Sequence, residues 1–401
     1  MKRSDPIKTP RVLILGNGGA AAHAVIAARK AGHTGPIHQV SDTEGPAFNP
    51  MLAPYYLKER IPWDDCFPFG ADFYHRYDVT CHFGAAVEKL DAVGKEVSLS
   101  GGDHLSFDRC LIATGASPVV PPVPGLVDSS LTLTLRTAKD TRRLEQVIPD
   151  TKKAVVLGAS LVGIKVAEIL RTRGIEVILV DVADQMLPHS AHPEAASYMR
   201  DYYLRKGIDV RLGCTLGGFE DEQDGAVCHF PDRTTERADV CVVCTGIRPN
   251  LNFIDPDEAG DVSQGKNRLT GASDWLGLWG NACYQGRTAG LNMAGIHENN
   301  PGGISEHISP LFDWTFAQIG DVHRRDEKVR IVSCGNPFEG LYQLLVFDQG
   351  ILIGVNLING FRHLGNYKTA ILRRLDWSTH LERLDYSKNE EIEKILVKLI
   401  Y

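Results

Sequence analysis

The sequence predicts an α/β fold in which two nested domains share one plan and a small α+β domain follows them. Two glycine-rich turns support this prediction, because each lies between a strand-like run and a helix-like run. Residues 16–21 follow the apolar run 12–15, and residues 158–163 follow the apolar run 154–157. Each segment later ends in a strand that closes on Thr-Gly. We interpret the repeat as two Rossmann-like dinucleotide-binding domains, with the second inserted into the first.

The order of the elements sets the predicted domain boundaries. The first dinucleotide-binding domain is predicted over 1–125 and 248–307, the second over 126–247, and the C-terminal α+β domain over 308–401. In the first domain we expect strands at 11–15, 37–40 and 109–113, helices at 21–31 and 282–294, a Pro- and aromatic-rich excursion at 46–75, and a hairpin from 88–99.

The second domain is expected to repeat the strand, glycine turn and helix at 154–173. Its other predicted elements are a charged helix over 132–150, a helix at 193–206, and strands at 175–180, 208–212 and 239–244. In the C-terminal domain we predict strands at 328–333, 342–347 and 351–357, and then helices up to Tyr401.

Composition excludes several classes of function. The chain has 401 residues, 43% of them hydrophobic and 23% charged, as is usual for a soluble globular protein. A net charge of −7 without a basic stretch argues against nucleic acid as a partner. The apolar runs are too short to span a membrane, and no signal-peptide core follows the N-terminus. We therefore expect a cytoplasmic protein without a membrane partner.

The cysteines and histidines indicate neither a disulfide framework nor a metal site. Nine cysteines are scattered over a large chain, and no four of them cluster as an iron–sulfur site would require. Cys241 and Cys244 have C-x-x-C spacing within an apolar strand, where residues three apart face opposite sides, so we expect both to be buried. The 14 histidines have no partners at metal-ligand spacing.

The glycine turns have the chemistry that a dinucleotide needs. Backbone amides at a tight strand-to-helix turn bind pyrophosphate, and the helix N-terminus adds partial positive charge. Side chains would block this approach, which explains the glycines at 16, 18, 158 and 163. Ser160 stands in the second turn where Gly18 stands in the first.

An acidic residue about twenty positions after such a turn binds a ribose hydroxyl. Asp181 has this position in the second domain, and an acid there favours NAD over NADP because it repels a 2′-phosphate. In the first domain Asp42 and Glu44 both follow the second strand. We prefer Asp42 because it is nearer to the strand end.

These motifs together resemble the flavoprotein reductases with two dinucleotide folds, the pyridine nucleotide-disulfide oxidoreductase superfamily. This superfamily includes ferredoxin and rubredoxin reductases, NADH oxidases and the flavin part of nitrite reductase. The resemblance covers nearly the whole chain. Besides the two turns, it depends on Ala167-Glu168 and on the segments 111–116, 244–250, 259–262 and 279–295.

The resemblance implies that FAD occupies the first site and NAD(H) the second. The residues it implies for FAD are Gly16, Gly18, Gly19, Ala20, Asp42, Ala113, Thr114, Gly115, Gly260, Asp261 and Ala282. Those for NAD(H) are Gly158, Ser160, Leu161, Val162, Asp181 and Gly246. We assign no catalytic side chain, because the flavin supplies the chemistry in such proteins.

Two features depart from the family pattern. Met51 stands where disulfide-type members carry a redox cysteine, and Cys66 is the nearest thiol. Methionine forms no thiolate, which argues against disulfide or peroxide chemistry. The segment 251–258, which precedes the Gly260-Asp261 pair, is also shorter than the family pattern.

The resemblance therefore predicts an FAD-dependent NADH:acceptor oxidoreductase that passes electrons to an iron–sulfur protein or subunit. The chain is similar to the flavin subunits of multi-subunit 2-oxoacid oxidoreductases, so a hetero-oligomeric complex is one prediction and a homo-oligomer another. The alternatives are a stand-alone NADH oxidase, a rubredoxin or ferredoxin reductase, and a non-enzymatic dinucleotide-binding subunit.

Overall fold

The computed structural model describes residues 9–254, 265–274, 278–382 and 388–401. The chain divides into two compact units. The first comprises 1–117, 247–266 and 273–303, and the second comprises 118–246, 267–272 and 304–401. The predicted division of the second unit into a dinucleotide-binding domain and a C-terminal domain remains a prediction.

The first unit begins with an open parallel sheet. Up to residue 118 the elements are β1 (Val12–Leu15), α1 (Gly19–Lys30), β2 (Ile37–Ser41), α2 (Ala53–Leu57), α3 (Phe73–Arg76), β3 (Val79–Phe83), β4 (Val87–Asp91), β5 (Glu96–Leu99), β6 (His104–Ser106), β7 (Arg109–Ile112) and β8 (Ala116–Pro118). Strands β3-β2-β1-β7 pair in that order, all parallel. Strands β4-β5-β6 form a separate antiparallel sheet.

The second unit repeats this arrangement. From residue 132 the elements are β9 (Thr132–Thr134), α4 (Ala138–Val147), β10 (Lys153–Leu157), α5 (Leu161–Thr172), β11 (Glu176–Asp181), α6 (Pro193–Arg205), β12 (Asp209–Leu212), β13 (Gly218–Glu222), β14 (Gly225–His229), β15 (Thr235–Ala238) and β16 (Val240–Val243). Strands β12-β11-β10-β16-β9 form a parallel sheet, and β13-β14-β15 an antiparallel one.

The chain then returns to the first unit and ends in the second. The returning elements are β17 (Ile247–Pro249), β18 (Gly265–Lys266), β19 (Ser273–Asp274) and α7 (Trp279–Met293). The final elements are β20 (Glu306–Leu311), β21 (Trp314–Gly320), β22 (Val329–Cys334), β23 (Tyr342–Asp348), β24 (Ile351–Ile358), α8 (Leu364–Arg373), α9 (Ser378–Leu381) and α10 (Asn389–Ile400). Strands β20-β21-β24-β23-β22 form an antiparallel sheet. None of the helices in the described ranges is long and apolar enough to cross a membrane.

The helix predicted over 132–150 starts too early in the sequence. Residues 132–134 form strand β9, which pairs in parallel with β16 and extends the sheet. The helix begins only at Ala138. Thr137 precedes it and forms a capping box, in which its side chain accepts from the Asp140 amide while the Asp140 carboxylate accepts from the Thr137 amide. The Thr-x-x-Asp pattern was a signal for this start.

The C-terminal prediction missed strands β20 and β21. They form a hairpin whose two-residue turn, Phe312-Asp313, lacks the glycine or asparagine typical of such turns. Phe312 has a φ of +50°, and its amide donates to the Glu168 carboxylate of α5 at 2.6 Å. This turn therefore depends on a residue 144 positions away, which local sequence patterns do not report.

Two glycines of α7 allow it to pack closely against α1. A Cβ atom on Gly286 would lie 2.1 Å from the carbonyl oxygen of Ala20, and one on Gly290 would lie 2.2 Å from that of Ala24. Such distances are impossible for a side chain, so both positions require glycine. This contact fixes α7 against the helix that opens at the first glycine turn.

Candidate functional site

The first glycine turn joins β1 to α1 at the carboxyl edge of the parallel sheet. Gly16 has a φ of +115°, and its amide donates to the carbonyl oxygen of Val40 at 2.7 Å. A Cβ atom on Gly16 would lie 2.1 Å from the carbonyl oxygen of Ala113. Glycine is therefore required here both by the backbone angle and by the close approach of the strand end at 113.

The N-terminus of α1 has the features of an anion site. Gly18 precedes the helix in extended conformation and supplies no side-chain cap. A Cβ atom added to Gly18 would have no atom of the described chain within 4 Å. The helix amides and the partial positive charge are therefore not covered by a side chain at Gly18, as a pyrophosphate site at this helix end would require. Gly19 instead packs against α7, since its Cβ would lie 3.0 Å from Cys283 Sγ.

A largely buried polar network holds the first turn, and no sequence motif marks its members. Gln39 on β2 donates from Nε2 to the carbonyl oxygen of Gly16 at 3.1 Å and to Asn17 Oδ1 at 2.9 Å. Asn17 Oδ1 also accepts from the Tyr74 hydroxyl at 2.6 Å, and Asn17 Nδ2 donates to the carbonyl oxygen of Gly45 at 3.0 Å. Burial raises the pKa of Tyr74 to about 12, so its hydroxyl remains a donor at neutral pH.

Asn250 fixes the Thr-Gly end of β7. The Thr114 hydroxyl donates to the carbonyl oxygen of Asn250 at 2.7 Å, and Asn250 Nδ2 donates back to the carbonyl oxygen of Thr114 at 3.0 Å. The Asn250 amide donates to the carbonyl oxygen of Gly115 at 3.0 Å, and the Ser117 hydroxyl donates to Asn250 Oδ1 at 2.8 Å. Thr114 and Gly115, both predicted site residues, are therefore held in place by one asparagine.

The structure describes some of the remaining predicted FAD residues and not others. Asp42 follows β2 directly, and both it and Glu44 are exposed, so our preference for Asp42 remains a prediction. Gly260 and Asp261 lie outside the described residues. Ala282 is in the first turn of α7, next to Asn281, whose Nδ2 is buried without a hydrogen-bond partner in the part of the chain that is described. That amide is available to a ligand acceptor at this helix end.

The second glycine turn repeats the backbone contacts of the first. Gly158 has a φ of +103°, and its amide donates to the carbonyl oxygen of Val180 at 2.7 Å. A Cβ atom on it would lie 2.4 Å from the carbonyl oxygen of Cys244. Gly163 is equally constrained, because its Cβ would lie 1.7 Å from the carbonyl oxygen of Gly158. The two turns therefore make matching backbone hydrogen bonds at Gly16 and Gly158, although their other residues differ.

Ser160 distinguishes the second turn from the first. Its hydroxyl caps α5 by accepting from the Gly163 amide at 3.4 Å and donates to the carbonyl oxygen of Cys244 at 3.0 Å. Leu161 and Val162 open the helix, and Val162 is 44% exposed. Gly246, at the facing strand end, has a φ of +128° and open space where a side chain would stand.

The Asp181 carboxylate binds the backbone of its own site. Asp181 is the last residue of β11, and its Oδ2 accepts from the Ala159 amide at 2.6 Å. Its Oδ1 accepts from the Ala183 amide at 2.8 Å. A carboxylate oxygen has more than one lone pair, so the side chain can hold the glycine turn and still accept from a ribose hydroxyl.

No reactive thiol pair stands near the predicted first site. Met51 is 42% exposed in the excursion, while Cys66 is fully buried in the short 3-10 helix Trp63–Cys66. All nine cysteines are thiols in the structure. The expectation that Cys241 and Cys244 are buried is confirmed, and burial raises the pKa of Cys244 to about 12. Within the described ranges, no group of three or more His, Cys, Asp and Glu side chains could hold a metal ion.

The sequence is similar to a family of known proteins. The family model described as pyridine nucleotide-disulphide oxidoreductase matches residues 10–269. The chain is 28% identical to the NADH-dependent phenylglyoxylate dehydrogenase subunit epsilon of Aromatoleum evansii, over 92% of this chain and 93% of that protein. It is 24% identical to an NADH oxidase of Methanocaldococcus jannaschii, over 78% of this chain and 74% of the oxidase.

A solved structure confirms the predicted fold class. A chain in the crystal structure of the covalent putidaredoxin reductase–putidaredoxin complex matches with a TM-score of 0.87 and 21% sequence identity. The match covers 97% of this chain and 98% of that one. At this identity the likeness concerns the fold, which includes both Rossmann-like parts and the C-terminal α+β part.

Proposed function

Because the chain belongs to the pyridine nucleotide-disulphide oxidoreductase family, we propose that it carries electrons between NAD(H) and an iron–sulfur protein or subunit. The chain is an oxidoreductase, and its cofactors are FAD and NAD(H). The assignment of each cofactor to one glycine turn and the identity of the electron acceptor are the proposed parts.

One observation carries the proposal: two glycine turns with matching hydrogen bonds open two helices in one chain. Gly16 and Gly158 each bind the neighbouring strand end and each leave no room for a Cβ atom. A protein that holds one dinucleotide needs one such turn, and two turns fit the two cofactors of this family. We assign FAD to the turn at Gly16 and NAD(H) to the turn at Gly158.

The chain's own residues bind and orient in this scheme. The amides at the start of α1 and α5 would hold the two pyrophosphates, and Asp181 would hold a ribose hydroxyl of the nicotinamide dinucleotide. Asn281 and Ala282, at the start of α7, would bind the flavin end of FAD in the first site. FAD would supply the hydride and electron transfer chemistry when bound, and no side chain needs to share in it.

An external acceptor fits the distribution of thiols. Family members that relay electrons through a thiol need a cysteine in the excursion, and this chain has Met51 there. Cys66 is buried and Cys241 and Cys244 are buried in the other unit, so none of the three offers an exposed thiolate. We infer that the electrons pass from the flavin directly to an external acceptor. A relative from Sphingobium, 25% identical over 86% of this chain, is named as the ferredoxin reductase subunit of an O-demethylase. Its name thus pairs it with an external iron–sulfur acceptor, a ferredoxin.

The similarity to the epsilon subunit of phenylglyoxylate dehydrogenase extends this to a complex. That relative is matched along nearly its full length, so we propose that this chain is the NAD(H)-linked subunit of a cytoplasmic 2-oxoacid oxidoreductase. Iron–sulfur subunits of the complex are then its partners. A homo-oligomer that serves a free ferredoxin is the alternative assembly.

An NADH oxidase is the second candidate, because the Methanocaldococcus jannaschii relative carries that name. The two candidates differ in the acceptor. The test is NADH consumption by the purified flavoprotein with either oxidised ferredoxin or air-saturated buffer as acceptor, with hydrogen peroxide measured in parallel. We expect turnover with ferredoxin to exceed turnover with oxygen at least tenfold. Fast oxygen turnover with peroxide formation would establish the oxidase instead.

A further inference from the structure

One buried asparagine of the C-terminal sheet grips a turn in the second dinucleotide-binding part. Asn356 lies on β24 and is fully buried. Its Nδ2 donates to the carbonyl oxygen of Ser190 at 2.9 Å, and its Oδ1 accepts from the His192 amide at 2.8 Å. The side chain thus satisfies two buried backbone groups of a turn that is 164 and 166 positions away in the sequence.

The gripped turn also contacts the glycine turn. The Leu187 amide donates to the carbonyl oxygen of Ala159 at 2.8 Å, and the Leu187 carbonyl accepts from the Ser190 and Ala191 amides at 2.8 and 2.9 Å. The Ala159 amide in turn donates to Asp181. A series of hydrogen bonds, connected through the backbone of Ser190 and Leu187, therefore links Asn356 to the glycine turn.

Leu187 itself occupies an uncommon backbone conformation. Its φ is +54°, a left-handed value that non-glycine residues rarely adopt. A conformation of this kind persists only where its surroundings enforce it, and Asn356 supplies the two hydrogen bonds on the far side of the turn. Other side chains also contact this turn, since Gln185 Nε2 donates to the carbonyl oxygen of Ala191 at 2.9 Å and the Ser190 hydroxyl lies 3.0 Å from His307 Nε2. Asn356 bonds two backbone groups of the turn at once, so we expect its loss to disturb the hydrogen bond between Leu187 and Ala159.

We propose that Asn356 is a positioning residue for NAD(H): it holds the 187–192 turn so that Ala159 and Asp181 keep the geometry of the second site. This inference rests on the proposed assignment of NAD(H) to the turn at Gly158. Asn356 does not touch the dinucleotide in this account. It acts through backbone groups, so its loss weakens NAD(H) binding and leaves FAD binding unchanged.

Other contacts between the C-terminal sheet and the same unit serve as controls. The Tyr202 hydroxyl donates to the Asp313 carboxylate, which ties the β20–β21 hairpin to α6 without touching the 187–192 turn. Gln343 on β23 is a buried amide like Asn356, and its Nε2 donates to Asn389 Oδ1 at 2.8 Å. Tyr202→Phe should therefore weaken the contact between the β20–β21 hairpin and α6, and Gln343→Met should weaken the contact between β23 and Asn389. Both substitutions should leave the 187–192 turn intact.

The experiment measures NADH binding by equilibrium dialysis against FAD-loaded protein that dithionite has reduced, so that NADH binds without turnover. For Asn356→Leu we expect Kd for NADH to rise about tenfold. FAD content, taken from the ratio of flavin to protein absorbance, should equal that of the wild type. Tyr202→Phe and Gln343→Met should stay within about twofold of the wild-type Kd.

Asn356→Asp is the second variant, and it keeps the inference testable if Asn356→Leu does not fold. It retains an acceptor for the His192 amide but loses the donor to Ser190, so NADH binding should still weaken at least about threefold. An unchanged Kd in a folded Asn356 variant, or an equal rise in Tyr202→Phe, would overturn the inference. If the wild-type protein itself fails to bind NADH, the proposed second site is wrong, and this outcome is distinct from failure of the Asn356 role.

Discussion

The Oδ2 atom of Asp181 lies 2.6 Å from the backbone nitrogen of Ala159, so the acid predicted to bind a ribose also holds the glycine turn. The same carboxylate accepts from the Ala183 amide through its other oxygen. One side chain thereby shapes the site and offers it a ligand group. Changes at Asp181 should consequently affect nucleotide binding more than the loss of a single ribose contact would.

Asp181→Ala is expected to raise Kd for NADH between about tenfold and a hundredfold, because charge-assisted hydrogen bonds of this kind contribute about 1.5–3 kcal/mol. Asp181→Asn has a side chain of the same size and retains one acceptor oxygen. Its Kd for NADH should therefore lie between those of Asp181→Ala and the wild type. Flavin content should be unchanged in both. Loss of flavin from Asp181→Ala would mean that the two sites have been assigned the wrong way round.

Gly16 and Gly18 should respond differently to substitution. A side chain on Gly16 meets the Ala113 carbonyl within 2.1 Å, so Gly16→Val should disrupt the turn and abolish flavin binding. A Cβ on Gly18 meets no described atom within 4 Å, so Gly18→Ala should fold with nearly unchanged thermal stability. It should nevertheless bind FAD more weakly, because the methyl group occupies the space in front of the helix.

The measurement for this pair is flavin content after gel filtration, together with Tm of the flavin-free protein. If Gly18→Ala retains full flavin occupancy and the wild-type FAD affinity, the pyrophosphate does not lie at this helix end. If Gly16→Val is flavin-replete, the claim that FAD occupies the first site fails.

One buried and one partly buried histidine predict a loss of stability in mild acid. Burial and then the Arg325 charge lower the pKa of His192 to about 4, with His323 contributing further. Burial and then the Lys165 charge lower the pKa of His307 to about 4. The unfolded chain binds these protons at its ordinary pKa of about 6.5, whereas the folded chain does not. The free energy of unfolding should therefore decrease as pH falls from about 6.5 towards about 4.

Urea unfolding at a series of pH values between 7.5 and 4.5 checks this expectation. His307→Gln should show a shallower decrease than the wild type, because it removes one of the two groups that gain a proton on unfolding. His229→Gln is a suitable control, since His229 lies at the partly exposed edge of β14. Equal slopes for His307→Gln and the wild type would contradict the assigned cause.

Arg29 should be a stability determinant of the first unit. Its guanidinium donates to the backbone carbonyls of His33, Gly35 and Tyr77 at 2.8 Å and to that of Asp78 at 2.7 Å. The side chain is only 14% exposed, so Arg29→Met leaves several carbonyls without a donor. We expect this variant to lower the free energy of unfolding by about 3 kcal/mol.

The matched control is Arg142→Met, which removes an arginine from a half-exposed pair with Glu145 on the surface of α4. Exposed pairs of this kind contribute at most about 1 kcal/mol. Chemical denaturation of the three proteins gives the comparison. A loss below about 1 kcal/mol for Arg29→Met would mean that water replaces the guanidinium at those carbonyls.

Local patterns predicted the parts of this fold whose cause is local. The glycine turns could be read from spacing because a left-handed residue and a close strand contact both demand glycine at Gly16 and Gly158. Strand β9 escaped prediction because three residues carry no period, and its place depends on pairing with β16. The β20–β21 hairpin escaped because Glu168 of a distant helix supports its turn.

The same reasoning explains which site residues were missed. Gln39, Asn250 and Asn356 act by hydrogen bonds to backbone groups far away in the sequence, and a lone amide residue has no motif to mark it. Asp181 was found because its distance from the glycine turn is fixed by one helix and one strand. Its second role, as acceptor for the Ala159 amide, could not be predicted because it depends on how the strand end and the glycine turn meet in the fold.

The most direct test of the central claim is stopped-flow absorbance of the flavin-loaded protein, mixed anaerobically with NADH and then with oxidised ferredoxin. We expect rapid bleaching of the flavin band by NADH, slow bleaching by NADPH, and rapid recovery of the band on addition of ferredoxin but not of air. A flavin band that NADH does not bleach, or one that recovers faster with air than with ferredoxin, would contradict the account.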